Sequence, residues 1–224
     1  MRKHIAFLFC YGYLDLSGRS LDELKGLFAY LEQAAFEILR PQLEGSEPIT
    51  MVLISGGPTL ARFSGESEAS SYQGALYYHL QAIIESYRRW GRELTMPEIF
   101  LEEKALFTIT NLRNSFRAIE DEIDQNGVEI TCICDDNHDA VPSDHWRREA
   151  REVLGDKARF ITFRVVTCKR PYDRHLFNNG WLQELHSLML RLKSYRKRKV
   201  NATVRSDANT HRRLGQFGSL FTRS

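Results

Sequence analysis

Strand-like and helix-like segments alternate along this 224-residue chain. The alternation predicts an α/β fold: a Rossmann-like, doubly wound, mostly parallel five-stranded sheet with helices on both faces. Three observations carry that prediction. Five short apolar runs are each bounded by polar, Gly or Pro residues. Stretches long enough for helices, with apolar residues on one stripe, separate them. Hydrophobic residues make up 42% and charged residues 27% of the chain, an ordinary globular balance that excludes a fibrous repeat or wholesale disorder.

The first strand is expected over Ile5–Tyr11, since an apolar run of this length is too short to span a membrane. A helix follows from Leu21 to Leu39, with Leu24, Leu27, Phe28, Leu31, Ala35, Ile38 and Leu39 on one stripe and Ser20 and Glu23 forming a capping box. The second strand is Ile49–Ile54 and the second helix runs from Glu66 to Trp90. The third strand is Glu98–Glu102, and its helix spans Thr108 to Gln125, stopping at Asn126-Gly127. The fourth strand is Glu129–Cys134, with a helix from Ser143 to Leu154 ended by Gly155. The fifth strand is Arg159–Val166, and a last helix is expected over Asn178–Lys199.

The net charge of +2 conceals an asymmetry. Residues 191–224 hold ten Lys and Arg and one acid, Asp207, whereas residues 1–190 hold 21 basic and 28 acidic residues. An acidic body is a poor general binder of nucleic-acid backbone, so nucleic acid is expected only through the basic tail. Residues 1–199 are read as one domain and 200–224 as a basic extension that docks on the body or on a second subunit, which would make a homodimer. The four cysteines, Cys10, Cys132, Cys134 and Cys168, show neither a CxxC pair nor zinc-finger spacing. They are read as buried reduced thiols of a cytoplasmic protein without a membrane anchor.

In a doubly wound sheet ligands bind beyond the carboxyl ends of the strands, where the strand order reverses. The loops after the strands therefore supply the candidate site. Tyr11 and Gly12 follow the first strand, and Ser55-Gly56-Gly57 follows the second, where paired glycines let the backbone turn tightly and bring N–H groups to an anion. Glu68 lies near the start of the second helix, where it complements the helix dipole or holds a ribose hydroxyl, a cation or a catalytic proton. Glu102 closes the third strand, where its carboxylate should reach the cleft to hold a hydroxyl or a divalent ion or to act as a base, and Thr108 and Asn111 lie three apart at a helix start, suited to capping or to oxyanion or phosphate binding. Asp135 and His138 follow the fourth strand and His145 comes seven residues later; either histidine could carry a proton. Asp135, Asp136, His138 and His145 match no metal-ligand spacing, and no metal is expected. Lys169 and Arg170 follow the fifth strand, where they would neutralise phosphate charge.

Three of these pieces, Ser55-Gly56-Gly57, Ser67-Glu68-Ala69 and Glu102-(five residues)-Thr108-x-x-Asn111, occur in the order found in the bacterial YdcF-like family, which includes the SanA and ElyC envelope proteins. The chain resembles that family over residues 4–166. It departs from it at Cys10-Tyr11-Gly12, where the family has a Leu-Gly turn, and at the fourth strand, where the family's His-x-x-Arg fits either His138, with Val141 in place of Arg, or His145 with Arg148. The resemblance implies a Rossmann-like fold, S-adenosylmethionine binding in one branch and cell-wall precursor metabolism in another. It raises the functional weight of Ser55, Gly56, Gly57, Glu68, Glu102, Thr108 and Asn111.

Three functions are therefore in competition. The first is a domain that binds a nucleotide-like or phosphorylated small molecule and acts on it as a hydrolase or transferase. The second is an S-adenosylmethionine-binding protein or methyltransferase, against which stands a glycine turn placed after the second strand, not the first. The third is an interaction protein whose basic tail binds a polyanion.

Overall fold

The computed structural model describes residues 2–10, 21–58, 67–105, 107–136 and 138–168, with residues 21–25 described through their backbone only. The elements run β1 (Lys3–Phe9), α1 (Leu21–Leu43), β2 (Met51–Ser55), α2 (Glu68–Arg88), β3 (Glu98–Glu102), α3 (Thr108–Ala118), β4 (Val128–Asp135), α4 (Ala140–Leu154) and β5 (Ile161–Cys168). All five strands are parallel, in the order β3-β2-β1-β4-β5. This is the expected α/β, Rossmann-like sheet. The expected helix over 178–199 and the tail 200–224 lie outside the described residues, as does the Ser20 cap.

Alternation along the central strands splits the core into two layers. Ala6, Leu8, Val52 and Ile54 pack against α1 and α2 through Leu31, Ala35, Ile38, Tyr72, Leu76 and Leu80. Ile5, Phe7, Phe9, Leu53, Ile130 and Cys132 face α3 and α4 through Leu112, Phe116, Ala150 and Leu154. Each fully buried Val, Leu, Ile or Phe among them contributes roughly 1.5–3 kcal/mol of transfer free energy, and a strand paired on both edges needs apolar residues on both faces. The four cysteines are buried and free of disulfides. Burial drives the Cys10 and Cys132 thiols well above their ordinary value and pushes Cys168 up to about 12, so these three stay protonated. Among the described residues no helix is long and apolar enough to cross a membrane.

Several boundaries differ from the expected ones. Helix α1 continues past Leu39 to Leu43 with Pro41 inside its last turn, and closes where Gly45 takes φ +77° and the Ser46 N–H reaches the Pro41 carbonyl at 2.7 Å. Helix α3 ends at Ala118, short of Gln125. The acidic run Glu120–Glu122 that follows would face the negative end of the helix dipole, and it forms a 3-10 turn instead, with Ile119 and Ile123 on either side buried in the core. Helix α4 starts earlier than Ser143, at Ala140, with Pro142 in its first turn. Arg159 and Phe160 belong to a 3-10 turn and not to β5. Helices α3 and α4 are fastened by Arg113, which donates to Glu149 and, at 2.7 Å, to Glu152. Burial pushes the Glu149 carboxyl up, but hydrogen bonds from Arg113 and Arg148 outweigh it and hold it below its ordinary value.

At the opposite, amino-terminal end of the sheet His4 is buried, with Nε2 2.9 Å from Thr131 Oγ1. Arg164 Nε donates to the same hydroxyl at 2.8 Å, so the hydroxyl is free to donate onward to a neutral imidazole. Burial lowers the pKa of His4 below its ordinary 6.5, although Glu129 pulls it the other way. The unfolded chain therefore binds this proton more readily than the folded one. The stability that neutral His4 contributes is complete above about pH 6.5 and is lost as the pH falls through the folded value. Urea melts at about pH 7.5 and about pH 5 should show a smaller loss of midpoint for His4→Gln than for the parent. An equal loss would remove His4 from the acid response.

Candidate functional site

The carboxyl ends of β2 and β3 are joined by a network of polar groups. Ser55 ends β2 beside Glu102 at the end of β3, and its hydroxyl donates to Glu102 Oε2 at 2.7 Å. The chain then turns through Gly56 and Gly57. A Cβ on Gly56 would lie 2.6 Å from Cys10 Cβ and 3.1 Å from Glu68 Cβ; one on Gly57 would lie 2.6 Å from the Ala105 carbonyl oxygen. Glycine is required here because three segments meet at van der Waals distance. Both amides are already used. The Gly56 N–H donates to the Glu102 carbonyl at 2.9 Å and the Gly57 N–H to the Ala105 carbonyl at 2.6 Å. The anion cradle expected of these two N–H groups is therefore corrected: they bond inside the chain, because the turn is used to dock the β3–α3 loop.

The expected free carboxylate at Glu102 also has a different role. Besides Ser55, Glu102 accepts at Oε1 from the Lys104 N–H at 2.8 Å and from Asn114 Nδ2 at 3.0 Å. Three donors from β2, the loop and α3 converge on one buried carboxylate, which makes it a tie between three elements and leaves it little capacity to act as a base. Glu68 opens α2 and is buried; its N–H donates to the Gly57 carbonyl at 3.2 Å, and Ala69 donates to Gly56 at 3.0 Å. Ser67 caps the helix by accepting from the Ser70 N–H at 2.9 Å and donates its own proton to Glu103 at 2.6 Å. Ser55, Gly56, Gly57, Glu68 and Glu102 thus come together, with Cys10 beneath them.

Strands β1 and β4 stay in register as far as Leu8 and Ile133. Beyond that point β1 leads to one side of the sheet order and β4 to the other, which opens the crevice of a doubly wound fold. The carbonyls freed there are met by Tyr30 of α1, whose hydroxyl lies 2.9 Å from the Phe9 oxygen and 3.4 Å from the Ile133 oxygen. On the β4 side of this split Asp135 is fully buried, and His138 Nδ1 lies 2.6 Å from Asp135 Oδ1 while the His138 N–H bonds the Asp135 carbonyl at 3.2 Å. The His138 side chain is 38% exposed. A carboxylate only accepts, so Nδ1 carries the proton and neutral His138 presents Nε2 as the basic nitrogen. His145 lies in the second turn of α4, and among the described residues no hydrogen bond joins it to this group. Of the two histidines left open by the sequence, the fold sets His138 at the crevice beside a carboxylate.

Thr108 is the first residue of α3 and is half-buried, and Asn111 ends its first turn, 4% exposed. Tyr11, Gly12, Lys169 and Arg170 lie outside the described residues. Among the described residues no group of three or more His, Cys, Asp or Glu could hold a metal ion.

No family model, curated protein or solved structure matches this chain.

The YdcF-like resemblance accordingly rests on the three motifs alone. Two contributors to the site went unread in the sequence. Tyr30 sits on the apolar stripe of α1 and carries no local signal that its hydroxyl reaches two strand ends. Asn114 follows the motif asparagine by one turn, and only the packing of α3 against β3 reveals that it serves Glu102.

Proposed function

We propose that this chain is a YdcF-like domain that binds a nucleotide-like or phosphorylated small molecule at the carboxyl ends of its strands and acts on it by acid–base chemistry, as a hydrolase or transferase. The observation that carries this reading is the 2.6 Å contact between His138 Nδ1 and the fully buried Asp135 at the point where the strand order reverses. A buried carboxylate fixes the tautomer and the ring plane, so Nε2 is held ready to take a proton from a water or hydroxyl nucleophile. As the bond to the leaving oxygen breaks, the same nitrogen returns the proton to that oxygen. Glu102, Ser55 and Asn114 hold the neighbouring strand ends in place and exchange no proton in this scheme.

The test is a thermal-shift panel of inorganic phosphate, pyrophosphate, sugar phosphates, nucleotides and S-adenosylmethionine, followed by phosphorus NMR of the phosphorylated compounds that stabilise the protein. At least one of these is expected to raise the melting temperature and to be converted. His138→Gln should keep the thermal response and lower turnover by about 10²–10⁴-fold. Unchanged turnover in His138→Gln would remove the histidine from the chemistry. Stabilisation by S-adenosylmethionine and by no phosphorylated compound would replace this reading with the cofactor-binding one.

A further inference from the structure

Helix α2 has an outer face without charge. Residues 69–84 contain no Asp, Glu, Lys or Arg, in a chain of which 27% is charged. Tyr72, Leu76 and Leu80 fix its buried side. Gln73, Gly74, Tyr77, Tyr78 and Gln81 are exposed, Tyr77 by 50% and Tyr78 by 69%. A solvated helix face normally carries charged residues, whereas the centre of a protein–protein interface is depleted of charge and enriched in tyrosine. Gly74, Tyr77 and Gln81 recur at helical spacing and form one stripe. Between that stripe and β3, the outer strand of the sheet, runs a groove of about 380 Å³ lined by Gln73, Gly74, Tyr77, Pro97 and Ile99. Pro97, just before β3, has no N–H to offer an added strand, so the groove suits an inserted side chain.

Gly74 supplies an independent sign. Among the described residues a Cβ at this position would meet nothing within 4 Å. Packing within those residues therefore does not call for glycine, which inside a helix destabilises the chain relative to alanine. A second molecule approaching α2 closely at this point accounts for it, because a methyl group would hold that molecule off. Charge and shape name the occupant. Residues 1–190 hold 28 acidic against 21 basic residues, so two copies repel each other in general. They can meet where neither is charged, and a partner chosen by its charge finds nothing there to pair with. The face is also self-complementary, with a protruding ring at Tyr77 one turn from the gap at Gly74. We infer that a second copy of this chain docks here, α2 lying antiparallel on its counterpart about a two-fold axis, with Tyr77 of each copy in the groove of the other, over Gly74.

Sedimentation equilibrium of the full chain tests this over about 1–100 μM. The parent should approach twice the 26.0 kDa mass of one chain as its concentration rises. Tyr77→Arg should weaken association by more than about 100-fold, since symmetry applies each change twice and places the new charges close together. Gly74→Ala should move two readouts in opposite directions. It should weaken association by about tenfold or more, yet melt about 2 °C higher than the parent when both are dilute enough to be monomers. That pairing separates a lost contact from a lost fold, and it stands should Tyr77→Arg fail to fold. A parent that stays monomeric throughout the range overturns the inference. So does a dimer that Tyr77→Arg leaves as strong as the parent's, which would place the contact elsewhere on the chain. A Gly74→Ala protein that associates as tightly as the parent overturns it too, because the gap would then have no part in docking.

Discussion

Asp135→Asn is expected to lower turnover by as much as about 10⁴-fold while leaving the melting temperature close to that of the parent. The substitution keeps the shape of a side chain that is fully buried at the end of β4. It changes what that side chain offers to His138 Nδ1, 2.6 Å away. The carboxylate accepts from Nδ1–H and so leaves Nε2 as the ring nitrogen without a proton. An amide nitrogen turned toward the ring donates to Nδ1 instead, which puts the ring proton on Nε2 and removes the base; in a serine protease triad the same exchange costs a factor of that size. Phosphorus NMR on the substrate found for the parent measures the loss. A parallel thermal melt separates lost chemistry from lost structure, because a variant that melts early would make Asp135 a structural residue. A variant with parental turnover would show that the Asp135–His138 pair is not used.

Glu102→Ala is expected to destabilise the domain by about 3–5 kcal/mol, and Glu102→Gln by about 1 kcal/mol. Alanine removes the acceptor for the Ser55 hydroxyl, the Lys104 N–H and Asn114 Nδ2 together. Ser55 is fully buried, so its hydroxyl is left without a partner. Glutamine keeps one oxygen for Lys104 and Asn114, and the serine hydroxyl can rotate to accept from the new amide. For a chain of this size the alanine variant should melt about 10 °C lower. The comparison also decides between two roles for Glu102. A tie predicts that glutamine retains most of the activity. A catalytic base predicts that glutamine abolishes turnover with the fold unharmed, and that outcome would overturn the role assigned to Glu102.

Much of the architecture was legible before any coordinate. The strands announced themselves because a central parallel strand is buried on both faces and must be apolar throughout, as Ile5–Phe9 and Val52–Ile54 are. Helix α1 was legible through its stripe, whereas the start of α2 was placed at Glu66 and only the structure shows Ser67 capping it. Helix α3 was read too long because residues 119–125 continue a plausible apolar pattern, and only the buried positions of Ile119 and Ile123 show the chain turning back to enter β4.

The site divides in the same way. The sequence by itself determined which loops gather together, since alternating strands and helices place every strand-to-helix loop at one edge of a parallel sheet. Tertiary structure alone decided what each group does there. Hydrogen-bond capacity is finite, and whether an amide or a carboxylate is left for a ligand depends on neighbours dozens of residues away. The Gly57 N–H is consumed by Ala105 and the Glu102 carboxylate by Ser55 and Asn114, while Asp135 keeps His138 at the crevice. Local spacing records none of those distances, because packing sets them.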